Sequence, residues 1–137
     1  VGNVGKEAWI AENIETSSTV DFVLEQKISI PKSKSAEPYI VVASRSHFSP
    51  ETQEFVDELK KEKGEVDFAS IGSSLKICLV AEGVADIYPR FGPTMEWDAG
   101  AGHAIAKAAG KMMTDHSTGK EMKYNKENLL NNWFIVK

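Results

Sequence analysis

Between residues 39 and 88 the hydrophobic pattern alternates between strand-like and helix-like periods, which restricts the chain to an α/β architecture. The run Tyr39-Ile40-Val41-Val42-Ala43 is continuously apolar and rich in β-branched residues, as suits a buried strand. A helix is signposted next. Ser49 can accept from the free N–H groups of a first turn, and Pro50 fits its first position. Phe55, Val56 and Leu59 make one apolar stripe, Lys60, Lys61 and Lys63 suit the negative end, and Gly64 stops it. Residues 66–71 predict a second strand, and Gly72-Ser73-Ser74 opens a second helix ending at Gly83. That helix is apolar almost all round (Leu75, Ile77, Cys78, Leu79, Val80, Ala81), so it should be buried on several sides. Residues 85–88 predict a third strand.

The flanks are plainer. Residues 6–12 form a short strand near an edge or hairpin. Residues 13–37 are polar and broken, with Ile28-Ser29-Ile30 alternating like a strand and 31–38 forming a loop. Residues 98–109 form a helix of small residues, against which a neighbouring element can pack closely. Met112-Met113-Thr114 and Phe134-Ile135-Val136 predict two last strands around the turn at Ser117-Thr118-Gly119-Lys120.

A chain of 137 residues, 42% hydrophobic and 26% charged, suits one soluble globular domain with its own core. It begins at Val1 without an initiator Met and is expected to be a fragment or a processed chain. Sixteen basic against 20 acidic residues argue against a non-specific nucleic-acid binder, yet leave room for a local basic pocket. Cys78 is the single cysteine, so no intrachain disulfide forms. Its apolar neighbours make it a buried thiol, and a reducing, cytoplasmic setting is expected. No apolar run approaches the ~18 residues of a membrane span.

Chemistry concentrates in a few places. Gly72-Ser73-Ser74-Leu75-Lys76 follows a strand and opens a helix, where unpaired N–H groups and the helix dipole favour an anion. Lys76 lies three residues after Ser73, so both can face one ligand; an ordinary Ser N-cap is the competing explanation. The glycine spacing of a P-loop is absent. Asp98, before Ala99-Gly100-Ala101-Gly102, is expected to cap its helix, and a carboxylate there also suits Mg²⁺. Asp86 is expected to be structural. His47 ends a buried strand, so it either faces a ligand or is a hydrogen-bonded loop histidine. Neither His103 nor His116 has a second His or Cys at zinc spacing.

Gly72-Ser73-Ser74-Leu75-Lys76, then Ala81-Glu82-Gly83-Val84-Ala85-Asp86-Ile87-Tyr88-Pro89-Arg90, then Glu96-Trp97-Asp98 with its small-residue helix to Gly110, resemble the C-terminal half of the inositol-monophosphatase superfamily. Within it the chain is most similar to the bacterial 3'(2'),5'-bisphosphate nucleotidases of sulfate assimilation, which Ser44-Arg45-Ser46-His47 and the Thr114-Asp115 turn also suit. The resemblance implies a layered α/β sandwich of the sugar-phosphatase type, a mixed sheet covered by helices. It divides the chain into the end of an N-terminal-domain hairpin (1–12), a connecting segment (13–38) and a C-terminal nucleotide-binding domain (39–137). It also implies Mg²⁺-dependent hydrolysis of the 3'-phosphate of adenosine 3',5'-bisphosphate to AMP and phosphate. By position Asp98 would ligate the metal and lie beside the sugar. Ser73, Lys76 and Arg90 would hold the nucleotide around its non-scissile phosphate, and His47 would lie close to the base. Arg90 stands where inositol phosphatases carry a glutamate, and its charged fork suits a second phosphate.

Three departures qualify the expectation. Gly100 replaces the family's usual Ala, and Lys111 replaces a second small residue after Gly110. The family's earlier Glu-Glu and Asp-Pro-x-Asp-Gly motifs, which supply most metal ligands, occur nowhere in the chain. The chain alone is therefore expected to be inactive, to bind Mg²⁺ poorly, to need an N-terminal half as partner, and to self-associate through apolar surface. The competing readings are a non-catalytic nucleotide- or phosphate-binding module and an inositol or fructose phosphatase of the same superfamily.

Overall fold

A computed structural model describes residues 1–34, 38–43 and 49–137; the run Ser44-Arg45-Ser46-His47 lies outside the described residues. The chain opens with a hairpin of β1 (Gly2–Asn3) and β2 (Glu7–Ile10). After α1 (Val20–Glu25) it adds β3 (Ile28–Ser29), which pairs antiparallel with β2. The helix α1 falls in the stretch expected to be broken. Thr19 Oγ1 accepts from Phe22 N–H and caps it, and although Val20, Val23 and Leu24 fall at helical spacing in this short helix, α1 buries no residue.

The alternating region forms as expected. Strand β4 (Tyr39–Val42) runs parallel to β5 (Val66–Ala69), with α2 (Pro50–Lys63) between them. Ser49 Oγ accepts from Thr52 N–H at 3.3 Å, and Gly64 ends α2 at φ 82°, a value disfavoured for residues with a Cβ. Helix α3 (Leu75–Glu82) ends at Gly83 in the left-handed region. A side chain there would meet the carbonyl oxygen of Lys32 at 2.5 Å.

The third strand lies later than expected: β6 covers Tyr88–Arg90, not 85–88. Val84 and Ala85 spend their N–H groups on Leu79 O, closing the α3 terminus, and Asp86 accepts from Ile40 N–H at 2.7 Å. Asp86 is thus structural, as expected, and it also pairs with Lys34. Ile87 makes a parallel bridge to Val41, and Val42 N–H donates to Ile87 O at 2.8 Å, joining β4 to the last sheet. There β6 pairs antiparallel with β8 (Phe134–Val136), which pairs with β7 (Met113–Asp115). The result is a mixed sheet.

Both faces of the sheet are covered. Val41 and Ile87 join Val56 and Leu59 of α2 on one side. Val42, Tyr88, Phe134 and Val136 join Ile77, Val80 and Ala81 of α3 and the small residues of α4 (Glu96–Ala108) on the other. Gly102 makes the close approach of α3 and α4 possible, since a Cβ there would lie 2.8 Å from Ile77 Cδ1. Ala8 and Ile30 of the N-terminal strands share this larger core.

Helix α4 starts two residues before the expected cap. Met95 occupies the N-cap position, and Asp98 sits in the first turn, where its Oδ2 accepts from Met95 N–H at 2.8 Å. A carboxylate reaching back from the third helical position satisfies the N–H of the N-cap residue, whereas a capping side chain would accept from the N–H groups of the first turn. Among the described residues, no helix is long and apolar enough to cross a membrane.

Candidate functional site

The carboxyl end of β6 and the amino ends of α3 and α4 converge on a pocket of about 510 Å³. Ligands of α/β folds collect where strand ends and helix starts meet, because unpaired N–H groups point there. The pocket brings together Ser73, Lys76, Arg90 and Asp98, four of the five residues singled out from the sequence. His47, the fifth, lies outside the described residues.

Lys76 is the second residue of α3 and only 5% exposed. Its Nζ donates to Ser73 O at 3.3 Å and lies 5.8 Å from the centre of the Tyr88 ring. Burial, and then the Arg90 guanidinium, push its pKa below the usual lysine range. Both influences disfavour the charge. Arg90 ends β6, donates from Nη2 to Pro93 O at 3.0 Å, and carries a buried Nε without a hydrogen-bond partner. Two cations thus share one cleft, and an anion entering it would satisfy both.

Ser73 holds a left-handed backbone (φ 62°), a conformation that turns its carbonyl to Lys76. The Ser cap that competed with the anion site as an explanation is not formed: Ser74, at the N-cap position, makes no side-chain capping bond. The first turn of α3 is therefore not closed by a serine hydroxyl.

Among the described residues, Asp98 is the one acid lining the pocket, and it is exposed. A Mg²⁺ site needs about six oxygen ligands in near-octahedral array. Among the described residues no group of three or more His, Cys, Asp or Glu can hold a metal ion. The donors among the described residues do not by themselves fit Mg²⁺, and no metal-dependent step is built from them alone.

The remaining candidates have structural employment. His103 is buried beside Tyr124, Nδ1 to Oη 2.9 Å, and burial lowers its pKa. His116 stacks on Phe91, ring centres 4.7 Å apart. Cys78 is half-buried, and burial pushes its thiol up, away from a reactive thiolate. Asp115 ties the 115–118 turn through Ser117 and Thr118 N–H and accepts from Asn132.

Tyr88, Pro93, Thr94 and Trp97 also line the pocket and were not singled out. Tyr88 was legible, since residues two apart on a strand share a face and Arg90 was already a candidate. Trp97, 68% exposed one residue before Asp98, is a large apolar ring in a position where burial is the norm. Nothing in the local pattern marks Pro93-Thr94.

The comparisons with known proteins agree with this geometry. A model of the inositol monophosphatase family matches residues 4–133. Over 104 residues the chain is 51% identical to the 3'(2'),5'-bisphosphate nucleotidase CysQ of Escherichia coli strain K12, covering 75% of this chain and 40% of that protein. The crystal structure of CysQ from Bacteroides thetaiotaomicron, a bacterial member of the same family, superposes with a TM-score of 0.80 at 50% identity. That match covers 90% of this chain and 46% of the other. Staphylococcal IMPase-II, 18% identical, shares the fold with a TM-score of 0.57 over 77% of this chain and 40% of its own. The chain thus spans less than half the length of these relatives, and it belongs to the inositol monophosphatase family.

Proposed function

We propose that this chain supplies the substrate-holding wall of a Mg²⁺-dependent phosphatase that removes the 3'-phosphate of adenosine 3',5'-bisphosphate, giving AMP and phosphate. The observation that carries the reading is the buried Lys76 side chain beside Arg90, in a pocket where Asp98 is the single acid among the described residues. Burying a charge without a counter-charge is unfavourable, and a phosphate ester provides that counter-charge. The 50–51% identity to two CysQ proteins, of which the Escherichia coli relative is named a bisphosphate nucleotidase, supports the choice of substrate.

In this reading Lys76, Ser73 and Arg90 bind the non-scissile phosphate, with His47 close to the base. Asp98 contributes one carboxylate to a metal whose other ligands lie outside this pocket. Mg²⁺, when bound, supplies charge stabilisation at the phosphoryl group that is transferred. The 137 residues alone do not turn over the substrate, because one carboxylate does not hold the metal. A reducing compartment such as the cytoplasm accords with the lone Cys78.

A second reading, a phosphate-binding module without catalysis, is favoured by the fact that this chain assembles Ser73, Lys76 and Arg90 by itself. Titration of the purified chain with adenosine 3',5'-bisphosphate and AMP, with and without Mg²⁺, separates the two when combined with a phosphate-release assay. The phosphatase reading expects weak, millimolar-range binding, about 4 kcal/mol, and no release. Metal-independent micromolar binding would favour the module, and release by the chain alone would contradict its dependence on further ligands.

A further inference from the structure

The position of Asp98 depends on a segment that lines no part of the pocket. Residues 121–131 run alongside α4 and are tied to it at three levels. At the lowest, Tyr124 Oη meets His103 Nδ1 at 2.9 Å, and the Tyr124 ring lies over Gly100. One turn higher, the Glu96 carboxylate accepts from Asn125 N–H at 2.6 Å, from Lys126 N–H at 3.2 Å and from the Lys126 ammonium. Asn125 holds a left-handed φ of 62° at this point. The Lys126 ammonium and the Glu96 carboxylate form an ion pair at this level.

At the top, Asn131 grips both peptide planes around Met95. In the plane between Thr94 and Met95, Thr94 O accepts from Asn131 N–H at 2.9 Å, while Met95 N–H donates to Asp98. In the next plane, Met95 O accepts from Asn131 Nδ2 at 2.8 Å, while Glu96 N–H donates to Leu129 O at 3.0 Å. Asn131 is 5% exposed, and its amide also reaches Thr94 Oγ1 at 3.2 Å. The N–H that aims the Asp98 carboxylate therefore sits in a peptide plane whose other end is held by Asn131. Free rotation of that plane would release Asp98 without disturbing Lys76 or Arg90.

We infer that Asn131 and Glu96 are positioning residues for Asp98, acting through the peptide groups of Met95. The inference deepens the proposed function and rests on it for the meaning of Asp98, although the clamp itself is geometric. Neither residue lines the pocket itself; Asn131 reaches it through Thr94 and the Met95 peptide groups, and Glu96 through the first turn of α4.

Two readouts test it in the 137-residue chain. The first is hydrogen exchange of the Met95 amide against core amides of Ile77 and Val136, which needs no ligand. Asn131→Ala should speed Met95 exchange by about tenfold or more and leave the core amides unchanged, as expected for a local opening. Glu96→Gln, which keeps an acceptor for one backbone N–H, should do the same to a smaller degree and guards against misfolding of the alanine variant. The second readout compares adenosine 3',5'-bisphosphate, whose sugar lies beside Asp98, with inorganic phosphate, which needs only Lys76 and Arg90. Asn131→Ala should weaken the nucleotide about threefold or more and leave phosphate unchanged. Unchanged Met95 exchange in both variants would overturn the inference. So would equal weakening of both ligands together with faster core exchange, which marks general loosening. If the unaltered chain binds neither ligand, the proposed function fails, and Met95 exchange alone decides whether Asn131 and Glu96 hold Asp98.

Discussion

Lys76 separates stability from function more sharply than any other side chain in the molecule. Its ammonium is buried, lies near a second cation, and has a lowered pKa caused first by burial. Replacing it by Met keeps the stem volume and removes the charge, so Lys76→Met should stabilise the chain by about 0.5–2 kcal/mol. The same variant should lose phosphate-ester binding. A thermal unfolding curve that falls, or a retained ligand affinity, would remove Lys76 from the proposed role. His103 gives a pH prediction of definite sign. Burial lowers its folded pKa below the unfolded value near 6.5, with Glu121 opposing and Lys107 assisting. The unfolded chain therefore takes up the proton first. The His103 contribution is complete above about pH 6.5 and is lost progressively as pH falls towards the folded pKa. Denaturant midpoints between pH 7 and 5 should fall, and His103→Gln should flatten that part of the profile. Of the site, Ser73, Lys76 and Asp98 were legible because helix-start chemistry announces them, whereas Arg90 came only from the family resemblance, the third strand being set at 85–88. Asn131 was not: its side-chain amide bonds Thr94 Oγ1 and Met95 O, 37 and 36 residues away, which no local pattern encodes.

At the scale of elements, the two glycines of α4 make opposite predictions. Ala is favoured over Gly inside a helix by about 1 kcal/mol. At Gly100 an added Cβ would meet only Tyr124 Cε1 at 3.6 Å, an ordinary contact, so Gly100→Ala should raise Tm by about 3–5 °C. At Gly102 the Cβ would lie 2.8 Å from Ile77 Cδ1 and 3.1 Å from its Cβ, and overpacking of about 1–3 kcal/mol outweighs the helical gain. Gly102→Ala should lower Tm, and a rise would show that α3 and α4 can separate freely. The elements legible in the sequence were those with two agreeing signals, such as α2 with its Ser49 cap, Pro50 and Gly64. Those misplaced had one. The start of α4 was set at Asp98 because aspartate caps helices, yet Asp98 caps from inside the first turn. Helix α1 had a cap, Thr19, but no buried face.

For the whole molecule, the core is continuous from Ala8 to Val136, and the pocket lies at its open end. The chain covers 40% of its Escherichia coli relative and 46% of the Bacteroides one, and among the described residues its pocket offers two cations and one acid. That balance suits holding a phosphate ester better than activating water, and the central claim is that Lys76 and Arg90 do the holding. The direct measurement is a ¹H–¹⁵N NMR titration of the 137-residue chain with adenosine 3',5'-bisphosphate, repeated on Lys76→Met. The account predicts saturable shifts at Ser73, Ser74, Lys76 and Arg90 in the unaltered chain and none at these positions in the variant. Shifts confined to other surfaces, or shifts unchanged by Lys76→Met, would contradict it.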